Sequence, residues 1–301
     1  MKRILVTGSE GFIGKALCRR IRANQDEYSL FTLDRIGGGT NHSIIDITST
    51  DLNSELERVN PDILIHLAGN VSVKFSLENP LADFQVNAMG TLAVLLGSLE
   101  TSCSNFIYLT SGGAIYDSSA RLPVNEEGPI RPTSPYGLSK LIGEQYLNLL
   151  TRERMNWTSF ALSNCYGPVR EHNQGVIYSI WRDLSNGIRP TIHGLNVSRD
   201  FIYIDDVVDA ILLACEKPSN RRLNLSSGKS IALMELLEKI QRILKTNLTP
   251  NILPNKPGDI LTSCLDNSKL KTLLGWEPKI SLDSGLNLSL ASNDFGVKSQ
   301  P

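Results

Sequence analysis

The first fourteen residues constrain this chain most. A short apolar run, Ile4-Leu5-Val6, leads directly into Gly8-Ser9-Glu10-Gly11-Phe12-Ile13-Gly14, and an amphipathic helical pattern follows. Glycines three apart allow a tight turn at a strand end. They also let backbone N–H groups approach a pyrophosphate and the next helix lie close to the sheet. The helix N-terminus then faces negative charge. Glycine triplets are common in loops, and here the confirming context is the position between a buried strand and a helix.

The rest of the chain agrees with that start. Arg3–Thr7, Ser29–Leu33, Asp62–Leu67, Asn105–Thr110 and Trp157–Ser163 are short and nearly continuous in apolar residues. Such strands are buried on both faces, as in a parallel sheet covered by helices. One helix is expected from the stripe Leu81, Phe84, Ala88, Leu92, Leu95 and Leu99. Another should run from about Tyr136 to Arg154, behind Ser134-Pro135. The alternation predicts an α/β, doubly wound parallel sheet with right-handed crossovers. Beyond Pro168 the pattern loosens, with short helices at Val207–Cys215 and Ala232–Leu244. Residues 1–163 therefore read as a sheet domain to which some later segments return. Residues 164–291 read as a smaller, irregular α/β lobe, and 292–301 as a polar tail.

Composition removes several function classes. Thirty Lys+Arg against 31 Asp+Glu leave a net charge of −1, so no global field draws the molecule to nucleic acid or an anionic membrane. The N-terminus enters a strand at once, without the pattern of a secretory leader. No apolar run approaches the roughly 18 residues of a membrane span. Five scattered cysteines without a CxxC, and four histidines without an HExxH pair, predict reduced thiols, a cytoplasmic protein and no metal site.

Three clusters carry chemistry. Asp34 ends the second strand 20 residues after Gly14, where a carboxylate accepts ribose hydroxyls and repels a 2′-phosphate, which favours NAD. The neighbouring Arg35 could instead embrace that phosphate. Tyr136 and Lys140 stand at i and i+4 on one helix face. A phenol titrates near pH 10, and an adjacent ammonium together with a nicotinamide cation would lower that value. Tyr136 could then take a proton from a sugar hydroxyl as hydride leaves the same carbon. Finally, Thr110 and Ser111 lie at the carboxyl end of a strand, where open α/β sheets bind ligands.

Taken together, these residues resemble the extended short-chain dehydrogenase/reductase family, in its NAD-dependent nucleotide-sugar epimerase/dehydratase branch. The resemblance runs from Lys2 to about Leu286. It covers TGSEGFIG, Asp46-Ile47, His66–Gly69, Val86-Asn87, Ser134–Lys140, Asn164–Pro168, Arg199–Val207 and Leu274–Pro278. It implies a Rossmann-type domain holding NAD at Gly8, Gly11, Phe12, Ile13 and Gly14. Asp46 and Ile47 would lie at the adenine, Leu67, Ala68 and Gly69 along the cofactor, and Lys140 at the nicotinamide ribose. Asn87 would help position the helix of Tyr136. Asn164 and Arg199 would contact the diphosphate of a nucleotide sugar, and the two long helices would pair in a homodimer.

Three departures from the family pattern matter. Gly112 stands where relatives carry a catalytic Ser or Thr, so Ser111 is expected to supply the hydroxyl, with Thr110 in reserve. Gly113-Ala114 replaces the acidic pair of dehydratases, which removes the acid and base that elimination needs. Lys256 stands where an Arg is usual, losing the planar fork that grips phosphate. The resemblance thus implies a nucleotide-sugar 4-epimerase, with a UDP-hexose as substrate, of the kind used in polysaccharide biosynthesis. A 4-ketoreductase is the alternative, ahead of a 4,6-dehydratase or a cofactor-binding protein without catalysis.

Overall fold

The computed structural model describes residues 1–24, 27–168, 175–255 and 260–290. Its first half runs β1 (Lys2–Thr7), α1 (Phe12–Arg22), β2 (Tyr28–Asp34), β3 (His42–Ile44), α2 (Leu52–Val59), β4 (Ile63–His66), α3 (Val73–Glu78) and α4 (Pro80–Phe84). A π-helical turn, Gln85–Gly90, joins α4 to α5 (Thr91–Leu99), before β5 (Asn105–Ser111), α6 (Gly112–Ile115), α7 (Pro135–Leu150) and β6 (Asn156–Leu162). The second half adds β7 (Asn164–Tyr166), α8 (Val176–Ser185), β8 (Thr191–His193), β9 (Ser198–Tyr203), α9 (Ile204–Glu216) and β10 (Arg221–Leu225). It ends with β11 (Ser230–Ala232), α10 (Leu233–Leu244), β12 (Asn251–Leu253), α11 (Ser268–Leu274) and α12 (Leu282–Leu290).

Among the described residues, seven strands form the main sheet in the order β10-β6-β5-β4-β1-β2-β3. Every pairing in it is parallel. Alternation along the strands separates two cores. Leu5, Leu33, Leu64, Phe106 and Tyr108 face one side, with residues of α2, α5 and α7. Ile4, Val6, Ile63, Ile65, Ile107 and Leu109 face the other, where α1 and α9 cover them. Burying each such side chain contributes about 1.5–3 kcal/mol, so strands apolar on both faces specify a covered sheet. The strand order reverses between β1 and β4, and the crevice at that switch point is where such sheets hold ligands. β7, β9 and β11 form a second small sheet, and β8 with β12 a third. No helix among the described residues is long and apolar enough to cross a membrane.

Two features escaped the periodicity. The stripe Leu81–Leu99 does not keep one face, because the π turn inserts an extra residue and rotates the helix. Ala88 and Leu95 are buried, whereas Leu81 is 69% and Phe84 40% exposed. In addition, β10 arrives from the second half of the chain to pair with β6 at the sheet edge.

The pairing of β10 brings Arg222 to the catalytic helix candidate α7. Its Nε donates to both Glu144 carboxylate oxygens, at 2.9 and 3.0 Å, and Ser159 donates to the same carboxylate at 2.7 Å. Both partners are nearly buried. Removing one member of such a pair strands a charge, whereas an apolar pair of similar volume is tolerated. Arg222→Met should destabilise the protein by about 3–5 kcal/mol in urea titrations. The double variant Arg222→Met/Glu144→Leu should recover most of that loss.

Candidate active site

The glycine turn has no room for side chains. Gly8 has φ +71°, and a Cβ there would lie 2.5 Å from the Ala68 nitrogen; one at Gly14 would lie 2.2 Å from the Gly8 carbonyl oxygen. The turn therefore accepts no side chain at either place. Gly11 caps α1 without a side-chain hydrogen bond, and the first turn of that helix has no acidic residue. Its leading N–H groups are thus left for an anionic ligand. Ser9 is buried with its hydroxyl unpartnered, a polar group suited to a ligand oxygen. Phe12 and Ile13, half-buried, anchor the turn to the core.

Asp34 organises this turn from the end of β2. One carboxylate oxygen accepts the Glu10 N–H at 2.9 Å and the other the Arg35 N–H at 2.7 Å. Each oxygen keeps a second lone pair for a ribose hydroxyl. Arg35 faces Asp46. Burial works against the Asp46 charge, but two hydrogen bonds from Thr48 and the Arg35 guanidinium outweigh it and hold that carboxyl below its ordinary value. Ile47 spends its side chain on the core, against Gly90. Leu67 and Ala68 continue from β4 past the turn, and their N–H groups donate to the Thr7 carbonyl and hydroxyl.

On the other side of the crevice, α7 begins with Pro135, and the Ser134 hydroxyl accepts the Gly137 N–H at 3.2 Å. This cap fixes Tyr136 in the first turn. Tyr136 is 8% exposed, with the Ser111 hydroxyl beside its phenol. Burial pushes its phenol up to about 12; the Ser111 bond lowers it and the Asp83 charge raises it. Acidification of the phenol by Lys140 is therefore not what the protein alone delivers. The ammonium lies 4.8 Å from the centre of the Tyr108 ring instead, and burial pulls it down to about 8 against the upward pull of Asp83.

Thr110 needs correction. It is 3% exposed and donates to the Phe160 carbonyl at 3.4 Å, because alternation along β5 turns it away from the face of Ser111. The glycine at position 112 also has a packing reason. A Cβ there would meet Leu265 Cδ1 at 2.3 Å, so a Ser or Thr would displace a core leucine. Of the two hydroxyl candidates, only Ser111 meets Tyr136.

Asn87 also differs from expectation. Its hydrogen bonds go to Asn70 and Asp83, not to α7. It braces the Gly69-Asn70 loop, and a Cβ on Gly69 would lie 2.7 Å from the Asn87 amide oxygen and 3.5 Å from Lys140 Nζ. Two residues of the site were given no role in the sequence reading. His66 is fully buried and held neutral, its value lowered to about 3 by burial and by Lys140. The Thr7 hydroxyl lies 2.7 Å from Nδ1 and Thr91 Oγ1 3.0 Å from Nε2. Thr91 already donates to the Asn87 carbonyl, so Nε2 carries the proton and Nδ1 accepts from Thr7. Asp83, fully buried on α4, is the second. Its spacing of four from Asn87 was the available signal.

Across the crevice the lobe presents Asn164 and Arg199. Asn164 is exposed on β7 and donates to the Asp200 carbonyl at 3.1 Å. Arg199 lies on the adjacent β9 and donates to the carbonyls of Ser198 and Leu261. Asp200 turns inward to accept from Ser227 and Leu265. Lys256 lies outside the described residues.

Known proteins share this fold. The family model of the NAD dependent epimerase/dehydratase family matches residues 4–226. UDP-glucose 4-epimerase of Mycolicibacterium smegmatis is 30% identical, over 94% of this chain and 96% of its own. The crystal structure of UDP-glucose 4-epimerase from Thermotoga maritima with UDP-glucose superposes with a TM-score of 0.91 at 32% identity, covering 96% of this chain and 97% of that one. UDP-glucose 4-epimerase of Thermus thermophilus in complex with NAD gives 0.88 at 27% identity, covering 96% and 98%. The glycine turn, the carboxylate of Asp34 and the Ser111–Tyr136–Lys140 cluster thus belong to an NAD-dependent enzyme, and the chain is a member of the NAD dependent epimerase/dehydratase family.

Proposed function

We propose that the protein is a nucleotide-sugar 4-epimerase acting on a UDP-hexose. The observation that carries this reading is the Ser111 hydroxyl beside the buried Tyr136 phenol, one helical turn from Lys140, with no carboxylate on the segment Gly112-Gly113-Ala114 that follows. Bound NAD supplies a carbon that accepts and returns hydride, and a positive ring charge near the phenol. Tyr136 takes the proton of the C4 hydroxyl and later returns it to the opposite epimer. Ser111 donates to the phenol oxygen and favours its ionised form. Lys140 binds the cofactor ribose, and Arg199 pairs with diphosphate oxygens, a role its planar fork suits. Without an acid and base near C5 and C6, elimination has no machinery here.

Purified protein should convert UDP-glucose to UDP-galactose without added cofactor, read by chromatography. Stoichiometric loss of absorbance at 340 nm with NADH and a 4-keto sugar nucleotide would identify a reductase instead. Tyr136→Phe should lower kcat by about 10²–10⁴-fold and Ser111→Ala by about 10²–10³-fold, both retaining NAD. Full activity in Tyr136→Phe would overturn the mechanism.

A homodimer completes the proposal. The packed helices α4, α5 and α7, with the π turn between the first two, leave Leu81, Phe84, Met89, Leu96, Leu138 and Leu149 exposed. Apolar patches of this kind mark protein interfaces. Sedimentation should give a dimer, and Leu96→Glu/Leu149→Glu a monomer. A monomeric parent protein would refute this arrangement.

A further inference from the structure

We propose that Asp83 is a positioning residue of the active site, whose buried carboxylate keeps the Lys140 ammonium charged and so sets the upper pH limit of turnover. The proposal rests on the epimerase reading for Lys140 as the cofactor-side lysine.

Asp83 is fully buried, yet only partly satisfied. Oδ1 accepts from the Asn87 amide at 2.9 Å, while Oδ2 has no hydrogen-bond partner. A carboxylate with a bare oxygen in the interior is costly unless an opposite charge compensates it. The groups around Lys140 offer one candidate for that compensation. From β4, His66 faces it in neutral form, and from β5 the Tyr108 ring lies beneath it. From α7 come the Tyr136 phenol and Ser139, and from the adjoining loops Gly69 and the Asn87 amide oxygen. Among the described residues, only Asp83, from α4, acts on Lys140 with a negative charge. Burial raises the Asp83 carboxyl above its ordinary value, while Ser139, the Asn87 amide and the Lys140 charge pull it back toward ionisation. Burial pushes both partners toward neutrality, and their mutual attraction resists it.

The sign of the effect follows. An ammonium is lost as pH rises through its own titration, so a weaker counter-charge brings that loss to lower pH. Asp83→Asn keeps an acceptor for Asn87 and removes the charge. The alkaline limb of its kcat/KM profile should move down by about one pH unit. Trace acetylation with acetic anhydride across pH, quantified by mass spectrometry on the Lys140 peptide, reads the lysine without any turnover and should show the same displacement. A uniform fall in kcat with both midpoints unmoved would mean a purely structural role and would overturn the proposal. Should Asp83→Asn not fold, the parent protein decides: a Lys140 labelling midpoint at about 8 or above supports the counter-charge, and one below about 7 refutes it. Labelling that behaves as expected in a protein without epimerase activity would sink the proposed reaction and leave the pairing standing.

Discussion

The active site depends on holding one ammonium group inside the protein. Lys140 is 5% exposed, and burial alone would strip its proton. Four elements are arranged around that problem. β5 lays the Tyr108 ring under the charge, α4 supplies Asp83, β4 supplies a neutral histidine, and α7 carries the lysine itself. The neutrality of His66 comes from its depth and from the Lys140 charge itself, so it adds no second positive charge. Tyr108 also donates to the Lys140 carbonyl at 3.3 Å, so the residue beneath the charge fixes the helix that bears it.

That helix must lie unusually close to the sheet. Its buried stripe is Tyr136, Lys140, Gly143, Glu144 and Leu147, polar and small where an ordinary amphipathic helix would be apolar. A Cβ on Gly137 would sit 2.3 Å from the Ala114 carbonyl oxygen, and one on Gly143 would sit 2.7 Å from the Tyr108 hydroxyl. Close approach here replaces greasy packing, and the Glu144–Arg222 pair fastens the far end. The stability of α7 is therefore tied to β10, a strand that arrives from the other half of the chain.

Much of this was legible in the residues. The five early strands were visible because a strand covered on both faces has no choice but to be apolar throughout. The glycine turn and Asp34 were legible because backbone geometry leaves few alternatives to glycine there. β3 and β10 were not, since the first is a three-residue edge and the second, Arg221–Leu225, opens with two arginines and has only two apolar residues. The Leu81–Leu99 stripe misled because a π turn is a register change that no spacing rule anticipates. Asp83 is buried because α7 closes over α4, a packing that no spacing within α4 announces.

By itself the sequence determined the covered parallel sheet, the glycine turn and the placing of Tyr136 and Lys140 on one helix face, because each follows from local geometry or from a repeat of burial along the chain. Only the tertiary structure decided between Ser111 and Thr110. The pleat of β5 sends one hydroxyl to Tyr136 and the other to a backbone carbonyl of β6. It alone also decided which charge answers Lys140, since that depends on which buried groups meet from α4, β4, β5 and α7, and no spacing within one element records such a meeting.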